Sequence, residues 1–193
     1  PGVKVPALGL AFNKKIATEL APRMPQNFTI KTFNGWGFGA CMRANPGAPR
    51  AQIEEKKLGK IISQIAKDRK VELGMDQWDE LRRLVSGAMQ AGITPGDRGR
   101  PLKSDTRDNW NDIADDLWIT PESFEFIYEM AREALEKDIE LLEKNGIYSF
   151  DDQVYYSACI AGAFPKYPVI FVDEAQDLSP LNHAMLEQSV RDD

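Results

Sequence analysis

The run Val169-Ile170-Phe171-Val172 leads without a break into Asp173-Glu174-Ala175-Gln176-Asp177, and this junction constrains the chain more than any other segment. Four consecutive β-branched or aromatic residues after Tyr167-Pro168 predict a parallel strand buried on both faces, because such strands lose the alternating pattern of half-exposed ones. Ligands of open α/β sheets lie just beyond the carboxyl ends of such strands. Two adjacent acids at that place suit nucleotide hydrolysis. The first, Asp173, is suited to hold Mg²⁺, and the second, Glu174, to orient and deprotonate the water that attacks a γ-phosphate. Ser179-Pro180 then supplies an N-cap and a first helical residue for a helix over about 181–190.

Three other junctions lie upstream. Val5 to Ala11 is apolar and runs into Phe12-Asn13-Lys14-Lys15-Ile16-Ala17-Thr18-Glu19-Leu20, where Ile16, Ala17 and Leu20 share one helical face and Pro22 bounds the helix. Phe12 offers a ring on which a base can stack, Asn13 an amide, and Lys14 or Lys15 a charge for phosphate; the plainer alternative is a core phenylalanine beside a solvated lysine pair. Pro6 donates no ladder hydrogen bond, so it marks the strand's start or an edge. Phe28 to Thr32 predicts a second strand, followed by Phe33-Asn34-Gly35-Trp36-Gly37. Phe33 and Trp36 are each either a stacking platform or a core residue; for Trp36, on a helix running to Met42, the core is favoured. In Ile147-Tyr148-Ser149-Phe150-Asp151-Asp152, Ser149 is an N-cap and the two aspartates complement a helix dipole without needing a catalytic role.

Together these segments resemble superfamily 1 DNA helicases of the UvrD/Rep type. The acidic junction is similar to their motif II, the Walker B box. Phe12 to Leu20 is similar to motif Ia, Thr32-Phe33-Asn34 to a Thr-Phe-His turn, and Ile147 to Val154 to the hydrophobic-x-Phe-Asp-Asp segment that precedes motif II. The resemblance implies ATP and Mg²⁺ as cofactors, with Asp173 as the metal acid, Glu174 as the catalytic base and Gln176 as the residue coupling the γ-phosphate to DNA. Asp177 would take a supporting role. It implies DNA contacts at Phe12, Asn13, Lys14, Thr32, Phe33 and Asn34, although Asn34 stands where histidine is usual, which puts any imidazole contact there in doubt. The implied fold is α/β, a partial RecA-like P-loop NTPase with a parallel sheet and a large all-helical insertion. The expected boundaries are 1–45 for the first core part, 46–146 for the insertion and 147–193 for the second core part.

No Gly-x-x-x-x-Gly-Lys-Ser/Thr loop occurs in the 193 residues. The resemblance therefore makes the chain a fragment of an ATP-dependent, 3′ to 5′ DNA helicase, with little or no hydrolysis of its own. Its partners would be single-stranded and forked DNA, together with the remainder of the helicase: the Walker A segment and the second RecA-like domain.

Composition agrees with a folded piece of this size, at 42% hydrophobic and 28% charged residues. No apolar run approaches a membrane span and no leader pattern is visible, so the expected location is cytoplasmic, with no membrane partner. Cys41 and Cys159 sit far apart in apolar contexts and read as buried thiols, and His183, the only histidine, as a surface residue of the last helix. The net charge of −6 is unevenly spread: +6 over residues 1–50, +2 over 51–110 and −14 over 111–193. The basic third carries both suspected DNA loops, as a DNA-facing patch requires.

Between the core parts the periodicity predicts helices over 51–71, over 76–90 with Asp76 as cap, and from Thr120-Pro121 to the C-cap Asn145-Gly146. Residues 98–109 predict a long loop whose Arg98, Arg100, Lys103 and Arg107 are candidates for contact with duplex DNA. Two other classes compete with a motor. A non-hydrolytic nucleic-acid-binding or regulatory protein would keep Phe12 and Lys14 without needing the acid pair. A metal-dependent nuclease would need a further acid and a lysine or histidine near Asp173, Glu174 and Asp177.

Overall fold

The computed structural model describes residues 5–191. Three parallel strands, β1 (Ala7–Ala11), β2 (Phe28–Thr32) and β5 (Val169–Val172), form a sheet in the order β2-β1-β5. The registers Ala11↔Thr32 and Leu10↔Val172 bring all three carboxyl ends to one edge. The chain is therefore α/β with a small parallel sheet. β1 starts directly after Pro6, and α1 (Lys14–Leu20) gives way to a 3₁₀ turn at Ala21–Arg23 around Pro22.

The prediction that Val169–Val172 is buried on both faces is corrected. Val169 is 39% and Phe171 54% exposed, because β5 is an edge strand and only the Ile170 and Val172 side packs against the core. Over the small central residues Ala7 and Gly9, the Phe171 ring leans toward Phe28, with ring centroids 5.5 Å apart.

α2 (Phe33–Ala44) and α7 (Phe150–Cys159) cross in close contact. Gly37 permits it: a Cβ there would lie 2.0 Å from the Gln153 carbonyl oxygen. Trp36 is buried, its indole N–H donating to Ser189 Oγ at 2.9 Å, which resolves it as a core residue. α8 (Pro180–Glu187) begins at the predicted Ser179 cap but ends earlier than expected. Exposed His183 is as predicted, as are the buried thiols of Cys41 and Cys159, each pushed up to about 12 chiefly by burial.

Between α2 and α7 stand β3 (Gln52–Ile53), α3 (Lys57–Arg69), α4 (Met75–Gln90), α5 (Arg107–Asp116), α6 (Pro121–Asn145) and β4 (Ile147–Tyr148). β3 pairs in parallel with β4, and Gly146, at φ 68°, approaches the Pro49 carbonyl, so the helical segment leaves and returns at one point. The predicted helix over 51–71 thus begins only at Lys57, its first residues being used in this pairing. The helix predicted from Asp76 begins at Met75; Gly74 is the cap, its N–H donating to the Gln77 side chain at 3.1 Å, while Asp76 sits in the first turn. α6 has both of its predicted ends, capped by Thr120 and by Gly146. One continuous cluster of buried side chains runs from Leu8 and Leu10 through Leu84 to Ile127 and Leu135, so the sheet and the helical segment share a core.

Across this junction lies a buried ion cluster. Lys57 Nζ of α3 stands 3.0 Å from Asp138 Oδ2 of α6 and 2.7 Å from Asp152 Oδ2 of α7, with all three side chains at most 3% exposed. Asp152 also accepts the Ser149 N–H at 2.6 Å, completing the cap of α7.

Candidate functional site

The site lies at the carboxyl edge of the sheet. From β1 the chain enters Phe12-Asn13-Lys14, from β2 it enters Phe33-Asn34, and from β5 it enters Asp173-Glu174. β1 is central, so the loop after it lies between the other two.

Asp173 continues the ladder, its N–H donating to the Leu10 carbonyl at 2.9 Å. Its Oδ2 is buried and has no hydrogen-bond partner. A buried carboxylate oxygen left in that state is costly, so the atom fits a water or a cation as partner. Among the described residues no group of three His, Cys, Asp or Glu side chains is arranged to hold a metal.

Glu174 adopts left-handed backbone angles, φ 51° and ψ 48°. For a residue with a Cβ this conformation costs about 1–2 kcal/mol, and such strain collects at functional turns. Its exposed carboxylate accepts a hydrogen bond from Gln176 Nε2, so the two residues that the resemblance places at the γ-phosphate touch. Glu174→Gly should therefore raise unfolding stability by about 1 kcal/mol in urea titrations.

The expected nucleic-acid residues divide into two groups. Phe12 is 52% exposed, and Lys14 is exposed at the start of α1. Asn13 and Thr32 serve as caps: Asn13 Oδ1 accepts the Ile16 N–H at 3.0 Å, and Thr32 Oγ1 accepts the Gly35 N–H at 3.0 Å. Asn34 Nδ2 donates to the Phe150 carbonyl at 2.8 Å. Phe33 is 4% exposed, which resolves its two readings toward the core; its ring supports the turn and offers no open face for stacking.

Phe12, Phe33, Asn34, Phe150 and Asn182 line a cleft of about 270 Å³. Asn13, Lys14, Thr32 and the acidic loop flank it without lining it. Phe150, 52% exposed, was missed as a candidate in the sequence. The available signal was its position directly after the Ser149 cap, where a first-turn aromatic faces outward unless packing covers it. Two exposed rings thus border one cleft.

The candidate duplex-contact loop is corrected in its length and its charge. α5 already begins at Arg107, and most of the basic groups have internal partners. Arg98 pairs with Glu143, Arg107 pairs with Glu125 and lies 4.8 Å from the Tyr128 ring centre, and Arg100 donates to the Gly162 carbonyl at 3.3 Å.

No protein-family model matches the chain, and no curated protein matches it at a significant level. The functional reading therefore rests on the motifs and this geometry. Among the described residues no helix is long and apolar enough to cross a membrane.

Proposed function

We propose that the chain is the motif II-bearing part of an ATP-dependent DNA helicase with a RecA-like core, in which Mg·ATP hydrolysis is coupled to movement along single-stranded DNA. The observation that carries this reading is the shared edge. The unpartnered Asp173 oxygen and the loop bearing Phe12 leave adjacent parallel strands in register.

Asp173 would hold Mg²⁺ through its free oxygen, and the bound ion would neutralise charge on the phosphates. Glu174 takes a proton from the attacking water. Gln176, hydrogen-bonded to that carboxylate, fixes its orientation and senses whether the phosphate is present. The Asp173 N–H donates to the Leu10 carbonyl near the end of β1, so a shift of the acidic loop reaches Phe12, two residues further on, by a short path. The phosphate cradle and its lysine would come from the remainder of the motor, since no segment of this sequence supplies them.

Base stacking contributes about 1–3 kcal/mol per base, so Phe12→Ala should weaken binding of a labelled oligothymidine about 5- to 150-fold in fluorescence anisotropy, and Phe150→Ala by a similar factor. Unchanged affinity in both variants would remove the cleft from the nucleic-acid path.

A further inference from the structure

The turn between α5 and α6 breaks two local rules at one exposed place. α5 closes in a Schellman arrangement, in which the Ile119 N–H donates to the Ala114 carbonyl at 2.9 Å and the Trp118 N–H to the Asp115 carbonyl at 3.0 Å. The position Trp118 takes is left-handed, at φ 58°, and glycine is the residue that adopts it without strain. A tryptophan stands there instead, 91% exposed, so packing does not explain it. Asp115 and Asp116 end α5, where carboxylates oppose the negative end of the helix dipole. Both choices work against the stability of the turn, and such local conflicts collect at functional places.

The charge around the turn is of one sign. Residues 108–129 hold seven Asp or Glu and no Lys, Arg or His. Asp108, Asp112 and Asp115 recur along the exposed face of α5, and with Asp116 and Glu122 they stand outside the ion pairs of the described residues. Arg83, Arg107 and Arg132 beside them are engaged elsewhere: Arg83 with Asp79 and, at 2.9 Å, the Leu117 carbonyl, Arg107 with Glu125, and Arg132 with Asp105. One turn after Glu122 on α6, Phe126 is 42% exposed and adds a second open ring.

We infer that this turn docks an arginine-bearing basic segment of a partner protein, with a guanidinium on the Trp118 ring and neighbouring cations paired with Asp115, Asp116 and Glu122. Arginine suits both parts, since its planar group stacks on an indole and forks onto carboxylates. The same charges repel a polynucleotide. The face shares no residue with the Phe12–Phe150 cleft or the acidic loop, so it stands or falls apart from the proposed function.

The test titrates the gene product carrying this sequence into a short labelled peptide of alternating arginine and glycine, read by fluorescence anisotropy. Trp118→Gly should weaken binding about fivefold or more, the equivalent of one cation–π contact. Its urea midpoint should stay at or above that of the wild type, because glycine relieves the left-handed turn. A variant carrying Asp115→Asn, Asp116→Asn and Glu122→Gln should bind about tenfold more weakly and with a flatter dependence on salt. Unchanged binding in either variant overturns the inference. Loss of binding that tracks a lowered urea midpoint makes Trp118 a structural residue and overturns it as well. Self-association of the wild type that Trp118→Gly abolishes assigns the turn to a second copy of the chain, which also overturns it.

Discussion

Replacing Lys57 by Met should cost about 3–5 kcal/mol of stability, the penalty of a buried ion pair broken from one side. The ammonium is shared by two carboxylates from different helices, and the cluster is shielded from water. Removing it leaves Asp138 and Asp152 facing each other with no cation. Urea unfolding would show the loss as a lower midpoint at an unchanged slope. A cost below about 1 kcal/mol would mean that the cluster opens to solvent.

Asp138 gives this cluster a pH signature. Burial, followed by the charge of Asp152, pushes its carboxyl well above the ordinary aspartate value of 3.8, while Lys57 pulls the other way. A folded value above the unfolded one means the folded state holds the proton more tightly. The stabilisation is complete below 3.8 and is lost as pH rises through the folded value. Asp138→Asn, which mimics the protonated form, should remove that decline, so variant and wild type diverge as pH rises from 4 upward, about where an unfolded aspartate titrates.

Gly37→Ala should be the second severe change, costing about 3 kcal/mol. The obstruction is a backbone carbonyl 2.0 Å from the new Cβ, with Ser157 Oγ 2.7 Å away, so relief requires α2 and α7 to separate. These helices carry Asn34 and Phe150 at their starts, joined by one hydrogen bond. Thermal unfolding should shift downward by more than about 6 °C for a chain of this size, and oligothymidine affinity should fall with it. An unshifted midpoint would show that the helices are not in this contact.

The acidic loop and the helix caps around it were legible in the sequence because their signals are local. The acidic loop follows a β-branched run, and Ser149, Ser179 and Thr120 cap helices through contacts within three residues. What escaped depends on distant partners. The open face of β5 follows from its edge position, which the composition of Val169–Val172 does not encode. Burial of Phe33 and exposure of Phe150 depend on which helices pack above them. Arg98 looks like a free cation until Glu143, 45 residues away, folds beside it. Lys57 and Asp152, 95 residues apart, each resemble ordinary helix-end charges.

The most direct measurement is DNA-stimulated ATP hydrolysis by the gene product carrying this sequence, in wild type and in Glu174→Gln. Glutamine preserves the shape of the turn and the contact to Gln176 but accepts no proton. The account predicts Mg²⁺-dependent hydrolysis in the wild type that rises with single-stranded DNA and falls at least about a hundredfold in the variant, with DNA binding retained. Hydrolysis that survives Glu174→Gln, or DNA binding by a wild type that hydrolyses no ATP, would contradict it.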